Sequence, residues 1–424
     1  MLFKNKKFLI TLSILVLISL FLYFITGSEK TRKNIKKYLP EEITIIKNIF
    51  FDRSSMGPRN FLAYDNMRKY LYNAVFLPDS HFSKMQLEEM IIDTEIGNSN
   101  TSYFIESYED ELTLANRFGD IYHIEISKIL LDRKKIQPSK YKTNIKLNEN
   151  SLVLDVLVSK GNIYLSIKEQ LENCSHLKIL SADKSSDTLI FENFFRSEEC
   201  FGNQIYRSGK MELFNFNNNE GILITTVDNI QEEPLNSISQ NKNSIYGKTL
   251  FINIESKKEL IFSSGHRNAQ GLYVAGEVIL SSEHGPKGGD EINKIEYGNN
   301  YGWPIVSLGK PYNEKSLDPF LKSHEDNNFT PPIFSFIPSI GMSDIEKISD
   351  DFYSENELKN LFIIASLNAR SIFLTQFDKE FKKINFYEKI MIGERIRDLE
   401  FIESLNILIM SYDQESKLGI LKPN

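Results

Sequence analysis

Between Gly265 and Pro304 the chain reads GHRNAQGLYVAGEVILSSEHGPKGGDEINKIEYGNNYGWP. Arg267 and Asn268 stand side by side in it. A guanidinium pairs bidentately with a carboxylate, and an amide both gives and accepts hydrogen bonds. Together they suit a planar ligand that carries carboxylates; the bland alternative is an arginine that caps a loop. Further on, Ser282-Glu283-His284-Gly285-Pro286 precedes Asp290-Glu291. Calcium takes oxygen ligands, and backbone carbonyls serve where glycine and proline hold a turn open. A plain turn with a solvated hairpin edge reads equally well. Nearer the C-terminus, Arg395-Ile396-Arg397-Asp398 puts two cations on one side of a strand, since side chains alternate. Two such cations need an anion or paired acids, and a surface salt-bridge stripe would satisfy them too.

The elements that must carry these residues are short. SLVLDVLV, GNIYLSI, TLIFENFF, KMELFNF, GILITTV, KTLFINI, NLFIIASL, SIFLTQF and NILIMSY are rich in β-branched and aromatic residues, with Asn, Gly, Asp, Lys and Ser clusters between them. Helical periodicity is confined to Ser83–Ile92 and Glu355–Leu361. Many short strands indicate a sandwich, a barrel or a propeller, and six four-stranded blades suit the length. Residues 80–110 read as an insertion or a divergent first blade.

The chain has 424 residues, 41% hydrophobic and 25% charged, with a net charge of -7. The acidic balance excludes general nucleic-acid binding, which needs a basic field. Cys174 and Cys200 fit neither a zinc nor a CxxC motif, and can pair if the domain is exported. Phe8 to Gly27 is free of charge and follows Lys4, Lys6 and Lys7. A helix of that length spans about 30 Å, the hydrocarbon thickness. The expected layout is a transmembrane anchor over 1–27, a charged linker over 28–45 and a propeller over 46–424. Thr26-Gly27-Ser28 is a weak cleavage site, so secretion after cleavage is the alternative.

The motifs resemble those of the glucose/sorbosone dehydrogenase family, six-bladed β-propeller quinoproteins that use pyrroloquinoline quinone (PQQ) and calcium. GHRNxQG matches at 265–271, the Glu-x-Gly-Pro turn at 283–286, and Arg-x-Arg-Asp at 395–398. The resemblance implies that Arg267, Asn268, Arg395 and Arg397 contact PQQ and that the carbonyls of Gly285 and Pro286 bind calcium. It places Ser339, in Pro338-Ser339-Ile340, on the cofactor rim, and His284 beside the cleft. Asn150 lies near the family's cofactor-side Gln/Glu. It further implies an aldose as substrate, an unnamed electron acceptor, and a propeller on the periplasmic side of an inner membrane.

Two positions depart from the family. Tyr206 stands where the family's block has the histidine that takes the proton from the sugar hydroxyl, and Lys210 replaces that block's arginine. Asn368, in Ser366-Leu367-Asn368, replaces a cofactor-binding lysine. At neutral pH only about one unperturbed tyrosine in a thousand is ionised. Two readings stay open: a PQQ- and calcium-dependent dehydrogenase impaired at these positions, or a non-catalytic propeller that binds a glycan or protein on the same face.

Overall fold

The computed structural model describes residues 75–76, 85–93, 101–130, 135–148, 150–172, 174–202, 208–228, 238–312, 320–352 and 359–423. The expected anchor, the linker and Tyr206 lie outside these residues. Six antiparallel sheets follow one another along the chain. Blade 1 holds Tyr103–Tyr108, Glu111–Asn116, Ile121–Glu125 and Ser139–Lys140. Blade 2 holds Leu152–Ser159, Asn162–Gln170, Cys174–Asp183 and Glu192–Arg196. Blade 3 holds Met211–Phe216, Asn219–Thr225, Lys248–Asn253 and Glu259–Ser264. Blade 4 holds Ala269–Ala275, Val278–Glu283, Asp290–Lys294 and Phe334–Phe336. Blade 5 holds Met342–Lys347, Leu361–Ser366, Ser371–Phe377 and Ile384–Met391. Blade 6 is built from Ile396–Ile402, Ile407–Tyr412 and Lys417–Pro423, with Met85–Ile92 paired outside them.

Met85–Ile92 corrects the helical expectation for that segment. It is a strand whose Met85 pairs with Pro423 and whose Ile91 pairs with Lys417, antiparallel. Its sequence, MQLEEMII, is made of good helix formers, but strand Lys417–Pro423 presents an unpaired edge that this segment satisfies. The pairing joins the described N-terminal segment to the C-terminal strand and closes the ring. Of the other helical candidate, Glu355–Leu361, residues 355–358 lie outside the described residues and Leu361 begins a strand.

Six clusters of buried apolar side chains alternate with the six sheets. Ile363, Leu374, Leu399 and Met410 pack between blades 5 and 6, and Ile105, Leu114, Ile409 and Ile420 between blades 6 and 1. The remaining four clusters fill the spaces from blade 1 round to blade 5. Each blade is therefore covered on both faces. That is why its strands read as continuous apolar runs and why turn chemistry, more than amphipathic alternation, marks their ends. The first strands of neighbouring blades touch in a closed ring about the axis. In an antiparallel meander, the starts of first strands and the ends of second strands share one face. Arg267-Asn268, Ser339 and Arg395-Arg397 lie at or just before the starts of first strands, and Gly285-Pro286 and Asn368 just past the ends of second strands.

The pairing that the sequence leaves open is made. Cys174 and Cys200 are joined with Cα atoms 5.7 Å apart. The bridge ties the start of the third strand of blade 2 to the segment that leads out of that blade, where Phe201–Gly202 also pairs with Cys174 and Ser175.

Candidate functional site

Arg395 and Arg397 do share a side, and what lies between them is Asp413, at the end of the second strand of blade 6. Asp413 accepts from Arg397 Nη2 at 2.9 Å, Arg395 Nη2 at 3.2 Å and Ser102 Oγ at 2.7 Å. Arg117, at the end of the second strand of blade 1, adds a third guanidinium at 3.3 Å. Burial alone would raise the Asp413 carboxyl, but Arg397, Ser102 and Arg117 more than offset it and hold it well below the usual range. Three guanidiniums against one carboxylate leave an excess of positive charge on this face. Arg397 is sealed, with 5% of its side chain exposed, whereas 37% of Arg395 is open to solvent. The other hand of Arg397 donates to Gln270 Oε1 of blade 4 at 2.9 Å, so this cluster reaches across to the GHRN segment.

In that segment Gly265 has φ +76°, and a Cβ there would collide with the Asn300 side chain. The turn delivers Arg267 and Asn268 to the start of blade 4. Both are buried. Glu283 fixes them by accepting the backbone N–H groups of Arg267 and Asn268, while Asn268 Oδ1 accepts from Ser208 Oγ at 3.1 Å. His266 links the same carboxylate to Ser263, at 3.0 Å from Glu283 Oε2 and 2.8 Å from Ser263 Oγ. A Ser–His–carboxylate order is familiar from nucleophilic hydrolysis. Here Ser263, His266 and Glu283 are 1%, 0% and 4% exposed, so no substrate reaches the hydroxyl. The network instead rigidifies the backbone that presents Arg267 and Asn268.

Gly285 and Pro286 follow the second strand of blade 4. A Cβ at Gly285 would strike the Gly289 carbonyl, which accounts for glycine at that position. The Gly285 carbonyl accepts from Arg267 Nη1 at 3.0 Å, and the same nitrogen donates to the His284 carbonyl at 2.9 Å. The Pro286 carbonyl accepts from Ser339 Oγ at 3.2 Å. Asp290 is buried rather than on a solvated edge, and its oxygens are spent on the N–H groups of Gly285, Ile340 and Gly341. His284 is bonded through Nε2 to the Met342 carbonyl; burial, then the Arg267 and Arg397 charges, lower its pKa. Asn368 lies exposed on the rim at the end of the second strand of blade 5, packed over Gly341. Next to it, the Leu367 carbonyl accepts from Arg395 Nη1 at 3.2 Å. Asn150 is an exposed turn residue before blade 2.

Lys210 lies deeper, at the ring of first strands. Its Nζ is 2.6 Å from Asp398, 3.2 Å from Asp344 and 3.7 Å from Asp155. Each aspartate also accepts a backbone N–H from another first strand: Asp398 from Ile105, Asp344 from Leu399 and Asp155 from Met211. Burial, and then neighbouring acids, raise the pKa values of Glu106, Glu212, Glu346 and Glu400. Burial, then the neighbouring acids, push Asp155 up to about 7 and Glu212 up to about 8. One ammonium cannot neutralise so many carboxylates. Lys210 stays charged, its pKa raised by Asp155, Asp344 and Asp398 against the cost of burial, and the acids share protons.

The glucose/sorbosone dehydrogenase family model matches residues 110–419. The chain belongs to that family. An aldose sugar dehydrogenase of Escherichia coli is 27% identical over 205 residues, 47% of this chain and 53% of that protein. Curated relatives are matched over a tenth to about half of their own length. A glucose dehydrogenase crystal structure superimposes with a TM-score of 0.64 at 21% identity, covering 77% of this chain and 97% of that one. The PQQ-bound aldose sugar dehydrogenase of Streptomyces coelicolor gives 0.56 at 14% identity, covering 80% and 98%. At these identities the structural likeness speaks for the fold.

Within the family frame, Arg267, Asn268, Gly285, Pro286, Ser339, Arg395 and Arg397 gather on one face, with Asn368 on its rim. Sequence reasoning missed Arg117 and Asp413, each a lone charge at the end of an ordinary strand. The face suits a polyanionic planar group. Besides its four arginines, it holds Arg267 Nε and Gln270 Nε2, buried donors without a hydrogen-bond partner. It suits calcium less well. Calcium takes 6–8 oxygens, usually with carboxylates among them. The two carbonyls in question are each engaged by a donor, one of them cationic, and each Asp290 oxygen already accepts a backbone N–H.

Proposed function

We propose that this protein is a quinoprotein-type oxidoreductase that oxidises an aldose at C1 with PQQ bound on the face described above. The observation that carries the reading is the donor set. Arg117, Arg267, Arg395 and Arg397 stand on one propeller face of a glucose/sorbosone dehydrogenase family member, with two buried donors unbonded. PQQ supplies the two-electron acceptor when bound. The chain's own part is to hold and orient. Arg395 is exposed enough to meet a ligand carboxylate, Arg397 and Gln270 set the floor, and Asn268 is locked by Ser208 and Glu283. Calcium, which the resemblance implies at Gly285 and Pro286, is not needed for this orientation. The anchor over residues 8–27 and a periplasmic propeller belong to the same proposal.

The protein should bind PQQ with saturable quenching of its fluorescence and a rise in melting temperature. Absence of both at high PQQ would favour the second reading, a propeller that binds a glycan or protein without chemistry. The exposed, uncharged Asn368 and the family's base position at Tyr206 are what favour that alternative.

A further inference from the structure

We propose that the guanidinium of Arg267 is the resident cation of the Gly285–Pro286 carbonyl cradle, so that this site takes its polycarboxylate ligand without a divalent metal. The inference rests on the PQQ reading and adds how the ligand is held.

Arg267 is fixed from several directions. Its backbone N–H is held by Glu283, its Nη1 donates to the carbonyls of His284 and Gly285, and its guanidinium lies 5.3 Å from the centre of the Trp303 ring. A metal ion at the cradle would use the same Gly285 oxygen, beside a positive charge. The second oxygen of the pair, that of Pro286, is capped by Ser339. The adjoining cavity, bordered by Arg267, Glu283, Gly285, Pro286, Glu291 and Trp303, has room for roughly one water. Arg267 keeps 7% of its surface exposed, while its Nε is buried and unbonded. A guanidinium that donates to protein carbonyls through Nη1 and meets a ligand carboxylate over its remaining exposed edge links the two. It thereby does the electrostatic work of a bridging cation.

The test uses the full chain, stripped with a chelator and titrated with PQQ in chelator or in millimolar calcium chloride, with fluorescence quenching as the readout. The wild-type dissociation constant should differ less than threefold between the two conditions. In Arg267→Gln the affinity in chelator should fall at least tenfold, and calcium should recover much of it. A wild-type affinity that drops tenfold or more in chelator overturns the proposal. If PQQ binds in neither condition, the dehydrogenase reading fails, and calcium alone decides the cradle. A melting temperature of the stripped wild type that calcium leaves unmoved supports Arg267 as the cation; a clear rise overturns it.

Discussion

Replacing Asp413 by asparagine removes a carboxylate that Arg117, Arg395 and Arg397 share. The cost is not spread evenly over the three pairs. Arg117 and Arg395 keep 24% and 37% of their side chains exposed, so water takes over much of their solvation. Pairs of that kind contribute at most about 1 kcal/mol each. Arg397 is 5% exposed and keeps only Gln270 as a second acceptor. Stranding a buried charge costs about 3–5 kcal/mol. At about 2 °C per kcal/mol for a large domain, the melting temperature should fall by roughly 6–10 °C at pH 7. The effect has a pH signature. The folded-state pKa of Asp413 lies below its ordinary value of 3.8, so the stabilisation is complete above that pH and fades as the pH drops towards the folded value. The wild type and Asp413→Asn should therefore converge in acid. Removing the stranded charge as well, in Asp413→Asn with Arg397→Met, should recover part of the loss. Scanning calorimetry at pH 7 and near pH 3 measures all of this. A fall below 2 °C at pH 7, or Arg395→Ala matching the effect of Asp413→Asn, would refute the claim that Arg397 is the costly partner.

PQQ affinity should rise about ten- to a hundredfold in Asn368→Lys, the worth of one charge-assisted contact of ~1.5–3 kcal/mol; unchanged affinity in a fluorescence titration would mean that position 368 does not meet the ligand. With PQQ loaded, aldose oxidation by the wild type should be slow at pH 7 and climb towards pH 10 as tyrosinate forms, while Tyr206→His with Asn368→Lys should raise it at pH 7 in a dye-reduction assay. Brisk turnover at pH 7 that survives Tyr206→Phe would rule out Tyr206 as the base. Opening the Cys174–Cys200 bridge with serines should cost about 3.5 kcal/mol, from a sequence separation of 26. Full alkylation of both cysteines in denaturant without reductant would show that the bridge does not form in the cell. The protein should stay in the membrane fraction at high salt, and a C-terminal alkaline phosphatase fusion should be active; an inactive fusion with an active cytoplasmic reporter would reverse the orientation.

The strands were legible because blades bury both faces. Leu361–Ser366 and Ile407–Tyr412 are buried at every residue, and such runs announce themselves without alternation. Met85–Ile92 was not legible, since Met, Gln, Leu and Glu favour a helix locally and only the edge of Lys417–Pro423 makes the segment extended. The same ring closure hides part of the site. Arg117 and Asp413 meet across 296 residues of sequence, and only the join between blades 6 and 1 brings them together. Arg267-Asn268, Gly285-Pro286 and Arg395-x-Arg397 could be read because each is a local motif in one turn or one strand. The carbonyl cradle was legible only in part. Sequence shows that Gly285 and Pro286 present oxygens, but not that Arg267, some 18 positions earlier, already donates to one of them.

The departures from the family differ in weight because they lie at different depths. Lys210 replaces an arginine but keeps the charge, and it sits among Asp155, Asp344 and Asp398, each of which pins the first strand of another blade. That exchange leaves the floor of the site braced. Arg267 and Asn268 are likewise held by Glu283 from within the protein, independently of any ligand. Asn368 is exposed on the rim. On the proposed PQQ reading, the exchange there of the family's lysine would subtract one contact, so that the chain would keep its scaffold and give up affinity at the edge. Binding and chemistry therefore have to be measured separately. Position 368 should show in the dissociation constant, and position 206 only in the pH dependence of turnover once PQQ is saturating.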